Sequence, residues 1–347
     1  MRYLILLFCF FNCFINLSQD NPIKTNSKSG GFFNKVKDSM SIENFKFDVN
    51  KLKNFGISND TVLLDTSLTI KKYYAFNYRK KDNFELLKFN NVGQIYNNLS
   101  FNTRQNIFSK IGYTANNPLL INKDDYRFYD TAYPVTELFF KSVFSQGQLT
   151  DALFTSNINR NINFSLAFKA LRSLGKYQNS LSGSKHFRFG FSYINKNLDS
   201  KLFFISQKLE RQENGGLNDV SLIDFISGED EFKERSKLNV NFEDAQNIFQ
   251  TRNLYFNNKF ILLNKNNNLI YMSHNLDYET TNNNYKQDQP TYLYGQINSG
   301  EDDINDHYKF RSIKNKFSVY TKTRFFDELS VGYINYNYNF FSVSENL

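Results

Sequence analysis

The sequence predicts an all-β chain: a transmembrane antiparallel β-barrel of the outer-membrane type, complete or incomplete, behind a polar N-terminal leader. Three observations carry that expectation. Aromatic residues fill 17% of the 347 positions, as 38 Phe and 22 Tyr with no Trp, yet the mean hydropathy is −0.54. These rings alternate with Asn, Ser and Lys at a period of two, the pattern of strands with one apolar face. The connections between the predicted strands also alternate, short then long, as periplasmic turns and extracellular loops do in outer-membrane barrels.

The chain opens with Arg2, an apolar stretch from Leu4 to Ile15 and the polar run Asn16 to Asp20. That order is the n-region, h-region and polar exit of a secretory signal peptide, with cleavage near Ser18 or Gln19. The stretch is too short for a comfortable membrane-spanning helix. Lipid attachment at Cys13 is opposed by Phe11 and Asn12, where small residues are needed. Cys9 and Cys13 are the two cysteines of the chain. An exported chain cut after them holds none, which excludes disulfides, thiol catalysis and cysteine metal sites together.

Four segments are expected: residues 1–19 as signal peptide, 20–64 as a polar periplasmic leader, and 65–347 as the barrel domain. Within the last, 65–134 reads as early strands or plug and 135–347 as regular hairpins. Thr69–Tyr78 and Phe84–Phe89 are the candidates in the early part. No later stretch approaches eighteen apolar residues, so membrane residence must come from strands, which satisfy their backbone groups only in a closed barrel.

Nine strands are predicted in the regular part, at 135–144, 148–156, 162–171, 185–194, 200–210, 251–263, 269–279, 311–323 and 329–341. Phe187, Phe189, Phe191 and Tyr193 share one face against Arg188, Gly190 and Ser192. Phe164, Leu166 and Phe168 alternate with Ser165, Ala167 and Lys169, and Tyr336, Tyr338 and Phe340 with Asn335, Asn337 and Asn339. From the second strand onward the connections run short (157–161), long (172–184), short (195–199), long (211–250), short (264–268), long (280–310) and short (324–328). The tight turn at Gln146–Gln148 breaks the alternation at its start. The loop 211–250 accommodates a short helix around Val220–Phe225, and Asn282–Asn284 reads as a solvated loop tip.

Little in the sequence suggests chemistry. The net charge of +8 suits an anion-attracting pore or simply a Lys- and Asn-rich composition, and no Lys/Arg block marks a nucleic-acid partner. His186, His274 and His307 lack a second His or Cys at ligand spacing, so surface or loop histidines are expected and no metal. Glu229–Asp230–Glu231 and Glu301–Asp302–Asp303 lack the spacing of a calcium loop and read as solvated loop acids. No nucleophile motif, Walker pattern or dinucleotide glycine pattern is present, so neither catalytic residues nor a cofactor are expected. One register makes Ser165, Lys169, Arg188, Ser192, Asn335, Asn337 and Asn339 the pore lining, although a slip of one residue exchanges the faces. On that register Phe189→Arg blocks insertion and Arg188→Ser leaves the fold intact.

The stretches DTSLTIKKYY (65–74), NFELLKFNNVGQIYN (83–97), SQGQLTDALFT (145–155), KALRSLGKYQ (169–178), ENGGLND (213–219) and SGEDEFKERSKLNVNFEDA (227–245) are distinctive. Together, and in order over roughly residues 60 to 345, they resemble the putative porin family of Bacteroidetes-type bacteria. The resemblance implies an outer-membrane β-barrel acting as a channel, with no catalytic or binding residues to carry over. It also implies longer relatives. Leu347 is not the aromatic residue that commonly ends an outer-membrane barrel, so an N-terminal fragment with an unpaired edge strand is one expectation.

The expected role is a porin-like channel in the outer membrane of a Gram-negative bacterium, passing small hydrophilic solutes by passive diffusion. The expected partners are outer-membrane lipid, lipopolysaccharide and the barrel-assembly machinery, with oligomeric state left open. Two alternatives are a non-conducting barrel component of a secretion or motility complex, and a secreted soluble β-sandwich that binds glycans.

Overall fold

The computed structural model describes residues 48–100, 115–143, 147–265, 268–290, 303–322 and 329–346. The expected signal peptide, both cysteines and residues 20–47 of the leader lie outside them. Five short strands come first: β1 (Leu52–Phe55), β2 (Thr61–Leu63), β3 (Leu86–Lys88), β4 (Tyr96–Asn98) and β5 (Phe128–Thr131). They form a three-stranded sheet in the order β2-β1-β5 and a β3–β4 hairpin. Nine long strands follow: β6 (Val135–Val143), β7 (Gly147–Asn159), β8 (Ile162–Ser173), β9 (Ser182–Ile194), β10 (Leu198–Gln212), β11 (Gln246–Lys265), β12 (Asn268–Gln287), β13 (Ile304–Lys322) and β14 (Leu329–Asn346). They make one antiparallel sheet in chain order, with β6 and β14 at its edges.

All nine predicted strands are present, in order. Their ends differ where the apolar alternation fades. Asn282–Asn284, expected at a loop tip, lie inside β12 and pair with Gln250, Phe249 and Ile248 on one side and with Lys309, Tyr308 and His307 on the other. A strand held by ladders on both sides needs no apolar face to continue, so the sequence carries no trace of the extension. Gln148, expected both to close the tight turn and to open the strand 148–156, is a strand residue and pairs with Ser142 and Arg172.

The early part departs further. Leu52 and Phe55 of β1 are buried inside the segment expected to be a leader. Two isolated apolar anchors in a polar run leave no periodic signal. Thr69–Tyr78 is not a strand: Ile70–Ala75 forms a 3-10 helix, and Leu68 and Ile70 stand exposed. The strand expected at Phe84–Phe89 is present as β3.

Asparagine shapes the short turns at one end of the sheet. The Asn195 side chain accepts from the N–H groups of Asn197 (2.8 Å) and Leu198 (2.7 Å). Asn159 does the same for Asn161 and Ile162. These Asx turns reverse the chain within two or three residues. The opposite end carries residues 174–181, 213–245 and, of the connection between β12 and β13, residues 288–290 and 303. There the Asn179 amide donates to the Glu213 and Phe242 carbonyls, tying the first two of these loops together. The expected helix forms at Asp219–Ser227, capped by Asn218 and ended by Gly228, whose φ of 71° is the left-handed form glycine adopts freely. No helix among the described residues is long and apolar enough to cross a membrane.

Candidate functional site: the covered face of the sheet

Residues 48–100 and 115–131 lie across one face of the large sheet, and cross-strand pairing identifies the side chains that share that face. Ser165 pairs with Gly190, Gly190 with Phe203, Phe203 with Tyr255, Tyr255 with Asp277, Asp277 with Lys314 and Lys314 with Tyr336. Ser165, Lys169, Arg188 and Ser192 therefore stand on the covered face. Asn335, Asn337 and Asn339 do not: Tyr336, Tyr338 and Phe340 take the covered side of β14, and Tyr308 meets Phe340 at 6.0 Å there. The expectation that all seven share one face is corrected. The Tyr/Asn alternation of β14 gives its register but not which set turns inward, because aromatic rings serve on both faces.

The covered face is built around a chain of directed hydrogen bonds. The Ile121 N–H donates to Gln207 Oε1 at 2.8 Å, and Gln207 Nε2 donates back to the Ile121 carbonyl at 3.1 Å. That reciprocal pair fixes which way the Gln207 amide points. With its oxygen fixed, Gln207 accepts from His186 Nδ1 at 2.8 Å. The other ring nitrogen, Nε2, is then an acceptor 2.7 Å from the Tyr78 hydroxyl, which also lies 2.9 Å from Ser184 Oγ. His186 is fully buried, which corrects its expected place at the surface or in a loop. Its partners lie about a hundred residues away in one case, where no local spacing points to them. His274 and His307 are on the opposite face, where His274 stacks on Phe317 at 4.3 Å.

Cations of the sheet reach the same segment. Lys169 donates to the Tyr78 carbonyl and lies 3.7 Å from that ring's centre. Lys201 donates to Asn59, and Arg211 to Asn116. In the opposite direction Lys80 of the segment meets Glu137 of β6. Arg188 pairs with buried Asp151 at 2.8 Å, with Lys80 a second partner at 3.9 Å. At the far side Lys123 reaches Asp277 of β12. Burial pulls the Lys123 ammonium down, but the Asp277 carboxylate outweighs it and holds the group above the usual lysine range. Asp125 is pushed up by burial and held below the usual carboxylate range by Lys81 at 2.8 Å.

Aromatic packing completes the contact. Tyr126 stacks on Phe203 at 4.3 Å and Phe203 on Tyr255 at 5.1 Å, a pile of three rings running from the segment across β10 to β11. Gly190 makes room for it, since a Cβ there would collide with the Tyr126 hydroxyl. Between segment and sheet a cavity of about 80 Å³ remains, lined in part by Ser165, Arg188, Tyr126 and Tyr129. That is room for a few water molecules and for nothing larger.

The face that residues 48–131 leave uncovered has the opposite character. Phe154, Phe168, Phe187, Phe260 and Phe317 are exposed on it, and Leu166, Phe189, Phe204 and Leu254 continue the band between them. Among the described residues no group of His, Cys, Asp and Glu is arranged to hold a metal ion.

No curated protein and no solved structure matches the chain. A family model does, the one described as putative porin, and it runs from residue 48 to 346 without leaving out any of the elements above. A nine-stranded meander, apolar on its open face and pinned to residues 48–131 on the other, is therefore the form this sequence gives to the fold of the putative porin family, to which the chain belongs.

Proposed function

We propose that the protein is an outer-membrane porin-like channel for passive diffusion of small hydrophilic solutes, with its lumen on the covered face and residues 48–100 and 115–131 folded into that lumen as a plug. The observation that carries this reading is the exposed aromatic band. Large apolar side chains on five or more adjacent strands, with no layer over them among the described residues, make a surface that hydrocarbon buries and water does not. A soluble sandwich would place a second sheet there.

The lumen-side chemistry agrees. Lys314, Lys316 and Ser318 follow one another on the covered side of β13, and Lys259 and Ser273 share one ladder pair on β11 and β12. Such a polar wall suits a water-filled path, whose lining sets solute preference. The protein would do no chemistry.

The filled space over β7–β10 favours a second reading, a non-conducting outer-membrane component of a secretion or motility complex. Planar-bilayer recording separates the two. Full-length protein that shows heat-modifiable migration and opens steps of conductance is a channel. The same folded protein without conductance is the second kind, and protein that fractionates away from the outer membrane is neither.

A further inference from the structure

On β11, β12 and β13 the apolar band of the open face ends at a single ladder row. Arg252 pairs with Thr280 and Thr280 with Arg311; the next row toward the long loops is Gln250, Asn282 and Lys309. Toward the short turns the same face carries Leu254, Tyr278 and Ile313, then Phe256 and Leu276. A tilted strand crosses the hydrocarbon in about 9–11 residues. Counted from Asn264, one residue in from the short-turn end of β11, eleven residues reach Leu254 and leave Arg252 at the first open-face position above it.

Arg252, Lys309 and Arg311 line a cleft of about 150 Å³ together with Gln250 and Asn282. Among the described residues no carboxylate pairs with any of the three cations. A larger groove of about 550 Å³ adjoins the cleft, shares Arg252, Tyr278 and Thr280 with it, and is floored by Phe187, Phe204 and Leu254. The surface is thus cationic above and apolar below, on the side that faces lipid.

We propose that this is a binding site for an anionic, phosphate-bearing lipid of the leaflet nearest the long loops. The phosphate sits among Arg252, Lys309 and Arg311, and an acyl chain lies along Phe187, Phe204 and Leu254. Two guanidinium groups offer forked donors that match phosphate oxygens, and the ammonium adds a third charge. A free phosphate ion would leave the apolar groove unused, which is why the lipid is the occupant. The proposal rests on the membrane reading above, and the test keeps the two apart.

The full-length protein is inserted into phosphatidylcholine nanodiscs carrying a minor share of lipid A, and the lipid A that stays with the protein after detergent extraction is counted by native mass spectrometry. Wild type should retain it with about tenfold or greater preference over phosphatidylcholine, falling as salt rises. A variant with Arg252→Ser, Lys309→Gln and Arg311→Ser should lose that preference, while Lys233→Gln with Lys237→Gln, on the 213–245 loop, should keep it. Millimolar inorganic phosphate should leave the lipid in place. Failure of wild type to insert overturns the membrane reading and this site with it. Inserted wild type that retains lipid A no better than the triple variant, or equally at low and high salt, overturns the site alone. The salt series decides if the triple variant does not fold, and displacement by inorganic phosphate overturns the acyl-chain half.

Discussion

The two halves of the large sheet share an open face but not a covered one. From β7 to β10 nearly every side chain on the covered face is buried under residues 48–131, and Lys169, Lys201, Arg211 and Gln207 are each bonded to that segment. Among the described residues the ties from β12 to β14 include Lys123–Asp277 and the packing around Tyr308, and Lys314 and Lys316 meet no carboxylate. The strands are as regular in the second half as in the first, and longer. Regular strands here therefore do not depend on a dense set of hydrogen bonds to that segment; the ladder hydrogen bonds on both sides hold them. What the first half gains from the segment is a fixed arrangement of buried polar groups.

If the halves differ only inward, substitutions on the open face should not distinguish them. Phe189→Arg in the first half and Phe317→Arg in the second should each destabilise the inserted state by roughly 2–4 kcal/mol, the cost of Arg at the hydrocarbon midplane. Urea unfolding in vesicles measures both. A large effect at Phe189 with none at Phe317 would mean that β13 lies outside the membrane, and the comparison would have to be redrawn.

Inward substitutions should separate the halves sharply. Gln207→Ala strands the Ile121 N–H and carbonyl and the His186 Nδ1 proton in buried surroundings, for a loss of roughly 2–4 kcal/mol. Thr281→Ala, two strands along the same ladder row, removes one hydroxyl contact of 3.5 Å with Thr251 and should change stability by no more than about 0.5 kcal/mol. Equal effects would show that the segment does not hold the first half in the way its hydrogen bonds suggest. Arg188→Ser, which the sequence alone marks as harmless, leaves buried Asp151 with Lys80 as its remaining partner and should lose about 1–3 kcal/mol. Lys316→Ser should lose no more than about 0.5 kcal/mol.

The Arg188 reversal shows where sequence reading stops. The strands from β6 to β14 are visible because each alternates over several residues, and a period of two is a local property. The faces of β8 and β9 are visible too, since Phe and Leu oppose Ser, Lys and Arg there. On β14 Tyr opposes Asn, and the open-face rings found on β9 are replaced by rings on the covered side, so composition misassigns the face. Asp151 gives no warning of its pairing with Arg188, 37 residues on. Gln207 and Ile121 are 86 residues apart, and their match depends on how a chain with no periodic pattern lies across the sheet. The one cue to a buried cluster was His186 in the row of Lys169, on a strand already recognised, and it needed the pairing register to be read.

The smallest expected effect tests whether the segment is fastened to both halves or to one. Lys123 and Asp277 are the charged tie to β12, and Lys123 is half-exposed, so the pair should contribute no more than about 1 kcal/mol. The Lys123 ammonium is held above the ordinary lysine value of 10.5, so the tie is fully present at neutral pH and is lost only as pH rises through the raised value. Asp277→Asn removes it without changing side-chain size. If the first half is the anchor, hydrogen exchange at residues 122–125 should quicken in this variant while Ile121, bonded on both sides to Gln207, stays protected. Exchange that quickens equally at Ile121 would mean that the segment lifts as one body and that its hold on the second half supports its hold on the first.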